Sequence, residues 1–325
     1  MVMHSSRPPA NREDFPRTSP TRDKSSAPEW LSRRFVKSAL VFIFAVAVAF
    51  GCGGLLGCGG AAVKTNASAG KLTGPGDSHS TKDANSVSLP ARLPVSAEAV
   101  KVPILMYHYV DASPPPTGPY DAGLTVLTAQ FKDQMDYLEK NGYHTVTLEQ
   151  IYLAMAGRAK LPSKPVALTF DDGGLDNYSV AFPILLAHHF TATFFVITGF
   201  VGRSVCVSWQ DLVVMKAAGM EIDSHTVHHL DLTTLSASRL SEELSQSRAA
   251  LIQNLGDTPI ALAYPSGAFN ERVEAAARKA GYLLAVTTQS GRTLRPASSL
   301  AWPRLRVASG LSLAGFARLV GGTVP

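Results

Sequence analysis

From about residue 101 onward, two hydropathy patterns alternate along the chain. Short runs of β-branched, aliphatic and aromatic residues are separated by stretches in which apolar side chains recur every three or four positions. The runs predict strands at 102–107, 144–147, 166–170, 191–197, 220–223, 261–264, 284–287 and 305–307. Thr128 is placed to cap a helix whose Phe131, Met135 and Leu138 share one face, and Asn141-Gly142 supplies its stop. Ser236 opens a second helix through Leu240, Leu244 and Leu251, ending at Gly256, and Asn270 opens a third that ends at Gly281. Strands alternating with helices are the mark of an α/β fold with parallel strands. About seven or eight such units predict a (β/α) barrel, distorted or incomplete, with a doubly wound open sheet as the alternative.

Upstream the pattern changes. Arg33, Arg34 and Lys37 precede an unbroken apolar run at 39–50, followed by small residues, which is the layout of an export signal. The run is shorter than the ~20 residues a spanning helix needs, although an uncleaved anchor reaching Leu56 fits as well. Leu55-Leu56-Gly57-Cys58 resembles a bacterial lipoprotein box, with Cys52 a poorer match, and Ser32-Arg33-Arg34 is a weak twin-arginine match. These features predict an extracytoplasmic protein, held to a membrane by lipid or signal anchor or else secreted. Residues 59–100, rich in Gly, Ala, Ser, Thr and Lys without periodicity, read as a flexible tether. The expected organisation is therefore 1–58 signal or anchor, 59–100 linker and 101–325 folded domain.

Composition narrows the function. With 46% hydrophobic and 17% charged residues the chain can bury a core. Its net charge of +5 is concentrated upstream: residues 1–38 carry eight Lys/Arg against four Asp/Glu. The remainder is nearly neutral, so nucleic acid is not an expected partner. Three cysteines, Cys52, Cys58 and Cys206, make neither a disulfide framework nor a zinc module, and any metal must be held by His and carboxylate.

The polar residues at the predicted strand ends decide the rest. His108 follows the first strand, Asp171-Asp172 the third, His225 and His229 the fifth, and Tyr264-Pro265-Ser266-Gly267 the sixth. In a parallel barrel these ends share one face, where α/β active sites are built. Neighbouring Asp171 and Asp172 point apart at a strand end, so one can hold a metal while the other serves as a base, unless Asp-Asp-Gly is simply a turn. His225 and His229 face one side if their stretch turns helically, and with Asp172 they would make a two-His, one-carboxylate zinc site. His228 could serve instead. Alone, His108 reads as a structural residue, His188-His189 as structural or surface residues, and Cys206 as a small buried hydrophobe.

At these residues the chain resembles the polysaccharide deacetylases, the NodB-homology family of carbohydrate esterases, over about residues 101–310. Thr169-Phe170-Asp171-Asp172-Gly173 and His225-Thr226-Val227-His228-His229 match the family in order and separation. The opening segment to His108 and Ala263-Tyr264-Pro265-Ser266-Gly267 look most like the branch of biofilm poly-N-acetylglucosamine deacetylases. The resemblance implies Asp171 as catalytic base, Asp172, His225 and His229 as ligands of a divalent metal, expected to be Zn2+, and His108 as general acid. Where the family carries an Arg that orients the base, this chain has Ala263, and Arg304 or Arg306 is the expected substitute. Ser266, Tyr264 and Arg304 are the residues expected at the oxyanion or substrate. The implied reaction removes N-acetyl groups from an extracellular N-acetylglucosamine polymer. Peptidoglycan, chitin oligomers or acetylxylan as substrate, or a catalytically silent carbohydrate-binding relative, are the alternatives.

Overall fold

The computed structural model describes residues 89–94, 96–112 and 123–324, all within one compact unit, Asn85–Pro325. Its elements in chain order are β1 (Val100–Lys101), β2 (Ile104–Tyr107), β3 (Tyr109–Asp111), β4 (Thr125–Leu127), α1 (Thr128–Lys140), β5 (His144–Thr145), α2 (Leu148–Met155) and β6 (Pro165–Phe170). There follow α3 (Phe182–Ala187), β7 (Thr193–Val196), α4 (Trp209–Ala217), β8 (Glu221–Ser224), α5 (Ala237–Leu255) and β9 (Ala261–Ala263). The chain ends in α6 (Glu271–Ala280), β10 (Leu284–Ser290), β11 (Thr293–Leu294), β12 (Trp302–Arg306) and α7 (Leu313–Val320).

Seven strands close into a parallel barrel in the order β2, β12, β10, β9, β8, β7, β6, and the ring is sealed where Ile104 to Tyr107 of β2 meet Ala167 to Phe170 of β6. The eighth strand, β5, pairs only with the first two residues of β6, while β7 takes its last two. A barrel is thus the architecture, incomplete by the standard of eight full strands, and the open sheet is excluded by the β2–β6 closure. Alternate strand residues fill the interior. Ile104, Ala167, Phe195, Ala263, Val286 and Trp302 form one apolar cluster, which the buried face of α2 joins through Leu148, Ile151, Tyr152 and Met155. α2 also receives Glu221, at the start of β8, on the backbone N–H groups of Leu148 and Glu149 (2.8 and 3.0 Å). This helix therefore lies at the end of the barrel where the strands begin, and leaves the opposite end to chemistry. The outward residues Leu262, Tyr264 and Ala285 pack instead with Leu240 and Leu244 of α5 and Val273 and Ala277 of α6.

Caps follow the sequence except at one place. Ser236 and Asn270 accept from the N–H of Arg239 and Val273, and Gly256 and Gly281 close their helices in left-handed geometry. Thr128, expected as a cap, is instead the first helical residue of α1, after Leu127, which has no side-chain oxygen to offer. Part of the stretch expected as a tether is packed: Leu89, Leu93 and Val100 lie against the core, and the Tyr152 hydroxyl donates to Pro90 O (2.9 Å). The expected signal, lipoprotein box and most of the linker lie outside the described residues. Among the described residues no helix is long and apolar enough to cross a membrane.

Candidate active site

The Asp pair is separated by a change of backbone hand. Asp171 N donates to Tyr107 O (3.0 Å), so Asp171 is still held as a strand residue and points inward, as Ala167 and Thr169 do. Asp172 then adopts φ 74° and Gly173 φ 72°, which ends the strand and turns the second carboxylate away from the first. Arg304, from the middle of β12, clamps Asp171 with two hydrogen bonds of 2.7 and 2.6 Å, and is itself fixed by Thr169 Oγ1 (3.1 Å) and Thr287 O (3.0 Å). Arg304 and Asp171 are 1% and 2% exposed. Burial alone would raise the Asp171 carboxyl, but the charge and hydrogen bonds of Arg304 outweigh it and hold the group below its ordinary value. Arg304 is thus turned to Asp171 and shut off from substrate, while Arg306, the other candidate, is exposed and does not bond Asp171.

Asp172, His225 and His229 bring their ligand atoms within 4.8 Å of one another. Nε2 of His225 is 3.5 Å and Nε2 of His229 3.8 Å from Asp172 Oδ1, and the rings stand 4.7 Å apart. His225 places Nδ1 2.8 Å from Ala263 O, an arrangement that fixes the ring and leaves Nε2 facing Asp172. The Tyr109 hydroxyl donates to the other Asp172 oxygen (2.9 Å). Two imidazole nitrogens and a carboxylate, braced in this way, suit a divalent cation of zinc's type. Burial and the neighbouring His225 hold His229 down, to about 4, which keeps it neutral and able to ligate. For His225, burial pulls down but the Asp172 hydrogen bond and carboxylate charges prevail, and its value is raised. The expected helical turn between the two histidines is absent. Thr226 (φ 66°) and His229 (φ 56°) instead run through a left-handed loop, a conformation costing roughly 1–3 kcal/mol per non-glycine residue. Four of the six non-glycine residues with positive φ among the described residues, Asp172, Thr226, His229 and Ser266, belong to this face.

His108, following β2, sets Nε2 3.9 Å from Asp171 Oδ2. Its burial lowers its pKa, the two Asp charges oppose this, and the net direction is down. Ser266 is exposed at φ 55°, and its N–H meets no acceptor among the described residues. A Cβ on the following Gly267 would collide with Thr288, so this turn needs glycine. Tyr264 is a correction: it is core, 1% exposed, with its hydroxyl on Leu300 O (2.9 Å), its N–H on Val286 O (3.2 Å) and its ring stacked on Phe269. Neither of its polar groups is free for substrate. His228 is also turned away, onto Glu243 (2.8 Å). His188 pairs with Glu139 and Asp136 on outer helices, His189 is exposed, and Cys206 is half-buried. Tyr109 and Glu243 escape the motifs. Glu243 had one signal, a carboxylate on the apolar face of the 237–255 helix.

Residues 158–285 match the family model of the polysaccharide deacetylases. Over 216 residues, 66% of this chain and 75% of the relative, the sequence is 33% identical to YxkH of Bacillus subtilis (strain 168), itself placed among the polysaccharide deacetylases. It is 29% identical over 171 residues to the poly-beta-1,6-N-acetyl-D-glucosamine N-deacetylase of Staphylococcus aureus (strain MSSA476), covering 48% of this chain and 59% of that one. The Streptococcus pyogenes deacetylase PplD, solved in complex with acetate, superposes with a TM-score of 0.63 at 33% identity, covering 69% of this chain and 99% of that one.

Proposed function

Because this chain belongs to the polysaccharide deacetylases, hydrolases that remove acetyl groups, we propose that it hydrolyses N-acetyl groups of an extracellular N-acetylglucosamine polymer and releases acetate. The observation that carries this reading is the meeting, on one barrel face, of a buried, Arg-clamped Asp171, a separate Asp172–His225–His229 group and His108. The similarity to the staphylococcal β-1,6-linked polymer deacetylase favours that linkage.

Asp172, His225 and His229 would hold the divalent cation, with zinc the first choice. When bound, it would supply Lewis acidity to the acetamide carbonyl and lower the pKa of a water. Asp171 accepts the proton of the attacking water, and Arg304 keeps it ionised and fixed in orientation for that task. The Ser266 N–H is free to meet the oxyanion, a contribution whose loss typically costs ~10²–10³ in rate. His108 delivers a proton to the departing sugar amine. Asp171 and His108 work in sequence: the charges of Asp171 and Asp172 favour the imidazolium against burial, and once Asp171 has taken the water's proton one of those two charges is gone and a protonated His108 gives up its proton more readily. The product amine is cationic, so a neutral polymer gains affinity for anionic surfaces. Export and anchoring through the 33–58 segment would place the catalytic unit beside such a polymer.

The test is acetate release from β-1,6-linked N-acetylglucosamine oligomers, after chelation and again after zinc is restored. Zinc-dependent release is expected. Failure on these oligomers with release from peptidoglycan, chitin oligomers or acetylxylan would reassign the polymer. Binding without release from any of them would overturn the activity.

A further inference from the structure

Helical periodicity asks for an apolar side chain where α5 carries Glu243. Leu240, Leu244 and Leu251 of this helix face the core, and Glu243 lies among them with 0% exposure. A buried carboxylate persists only when its oxygens are paired. Here Oε2 accepts the backbone N–H groups of Val227 (3.1 Å) and His228 (2.9 Å), while Oε1 lies 2.8 Å from His228 Nδ1 and 3.0 Å from an Arg239 guanidinium nitrogen. The two backbone donors belong to the residues that join His225 to His229. The same loop is left-handed at Thr226 and at His229, and apart from Glu243 it is braced by Ser224 Oγ on Thr226 N (3.1 Å), by Thr226 Oγ1 on His229 N (3.0 Å), and by the Thr198 N–H and hydroxyl on Thr226 O (3.0 and 3.4 Å) and the Gly199 N–H on Val227 O (2.9 Å). Among the described residues, those contacts leave the Val227 and His228 N–H groups to Glu243 alone. Strained backbone of this kind holds only where its surroundings over-determine it.

We propose that Glu243 is a positioning residue for the metal site: it presets the loop at 226–229 so that His229 arrives beside His225 and Asp172 before any cation binds. The inference rests on the metal reading given above. Glu243 touches neither ligand nor substrate and acts through the two peptide groups it holds. Removing its charge frees the loop to relax toward commoner backbone geometry, and His229 must then be gathered in at the expense of cation affinity.

The experiment compares the wild-type protein with Glu243→Gln and Asp172→Asn. Zinc affinity is read by competition with a chromophoric chelator, and unfolding is followed with zinc and with excess chelator. Glu243→Gln is expected to weaken zinc binding about 10–100-fold, as loss of a ligand's supporting partner does. Its zinc-induced rise in Tm should shrink accordingly, and turnover should recover at high zinc. A merely structural Glu243 would lower both Tm values equally and leave zinc affinity within about twofold of wild type, which overturns the proposal. Should Glu243→Gln not fold, Glu243→Asp is measured in the same way, since it keeps the charge and withdraws the carboxylate from the loop. If the wild-type protein takes no zinc, or Asp172→Asn takes it equally well, the metal reading itself fails. If those two behave as expected and the Glu243 variants bind as wild type, only the present inference fails.

Discussion

Arg304 and Asp171 stand 133 residues apart in sequence and are joined by hydrogen bonds of 2.7 and 2.6 Å. Breaking a buried pair of this kind typically costs about 3–5 kcal/mol, because the remaining charge stays buried. In Arg304→Gln burial, the largest influence on Asp171, is opposed only by the smaller charge effects of His225 and His108, and the Asp171 pKa should rise. The pH dependence then reverses sign. In the wild type the depressed carboxyl contributes stability that is present above its unfolded value of ~3.9 and lost as pH falls below it. In the variant a raised carboxyl loses stability as pH climbs above that value. The gap between the two unfolding midpoints, measured with chelator present, should widen from pH 4 to pH 8, and a constant gap would remove Asp171 as the cause. The two aspartates should separate in the same assays. Asp171→Asn is expected to keep zinc and lose ~10²–10⁴ in kcat, whereas Asp172→Asn should lose zinc. Normal turnover in Asp171→Asn would disprove its role as base. Local sequence makes the Asp pair and both histidines conspicuous. It leaves Arg304 and Arg306 indistinguishable, because only the strand register decides which of them lies beneath Asp171.

The helices carry their limits in the residues at their ends. Asn270 accepts from Val273 N (3.0 Å), Glu271 and Glu274 fill the first turn of α6, Arg278 and Lys279 the last, and Gly281 turns left-handed at φ 98°. Each feature is favourable at its own end of the helix dipole. Asn270→Ala should therefore lower stability by about 1 kcal/mol, seen as an earlier denaturation midpoint with an unchanged slope. No shift would mean that packing of Val273 and Ala277 alone sets the start of α6. Most strands were readable for a related reason, since β2, β6, β7 and β9 are largely apolar on both faces. The short pairs β1–β11 and β3–β4 were not, being two or three residues long and held by distant partners. The loop at 225–229 shows the limit most clearly. The spacing of its histidines fits one helical turn, but the ring contact is made by two left-handed residues and by a glutamate from another helix.

The barrel as a whole is polar at both ends and apolar between. Strand spacing along the chain is the same for an open sheet as for a closed one, so closure shows only in the pairing of β2 with β6, two strands far apart in sequence. At the end opposite His108, Glu221 and Asp223 project from alternate positions of β8. Asp223 is 1% exposed; its Oδ1 accepts the N–H groups of Ile260 and Ala261 (3.0 Å each) and Oδ2 has no hydrogen-bond partner among the described residues. Burial first, and then the charge of Glu221, push Asp223 well above the carboxylate range. Glu221 is itself pushed up to about 7, by burial and then by Glu149, against the hydrogen bonds it receives from α2 and Thr193. The folded barrel thus keeps a proton that the unfolded chain releases above pH ~4. Folded protein binding more protons than unfolded means that stability falls as pH rises from about 4 through neutrality. Asp223→Asn removes the acid and keeps an oxygen for Ile260 and Ala261. Its unfolding midpoint should match the wild type near pH 4 and exceed it increasingly up to pH 8. Parallel curves across that range would show that the pair does not share this proton, and that Asp223 is ionised inside the barrel at a cost met by its two peptide donors.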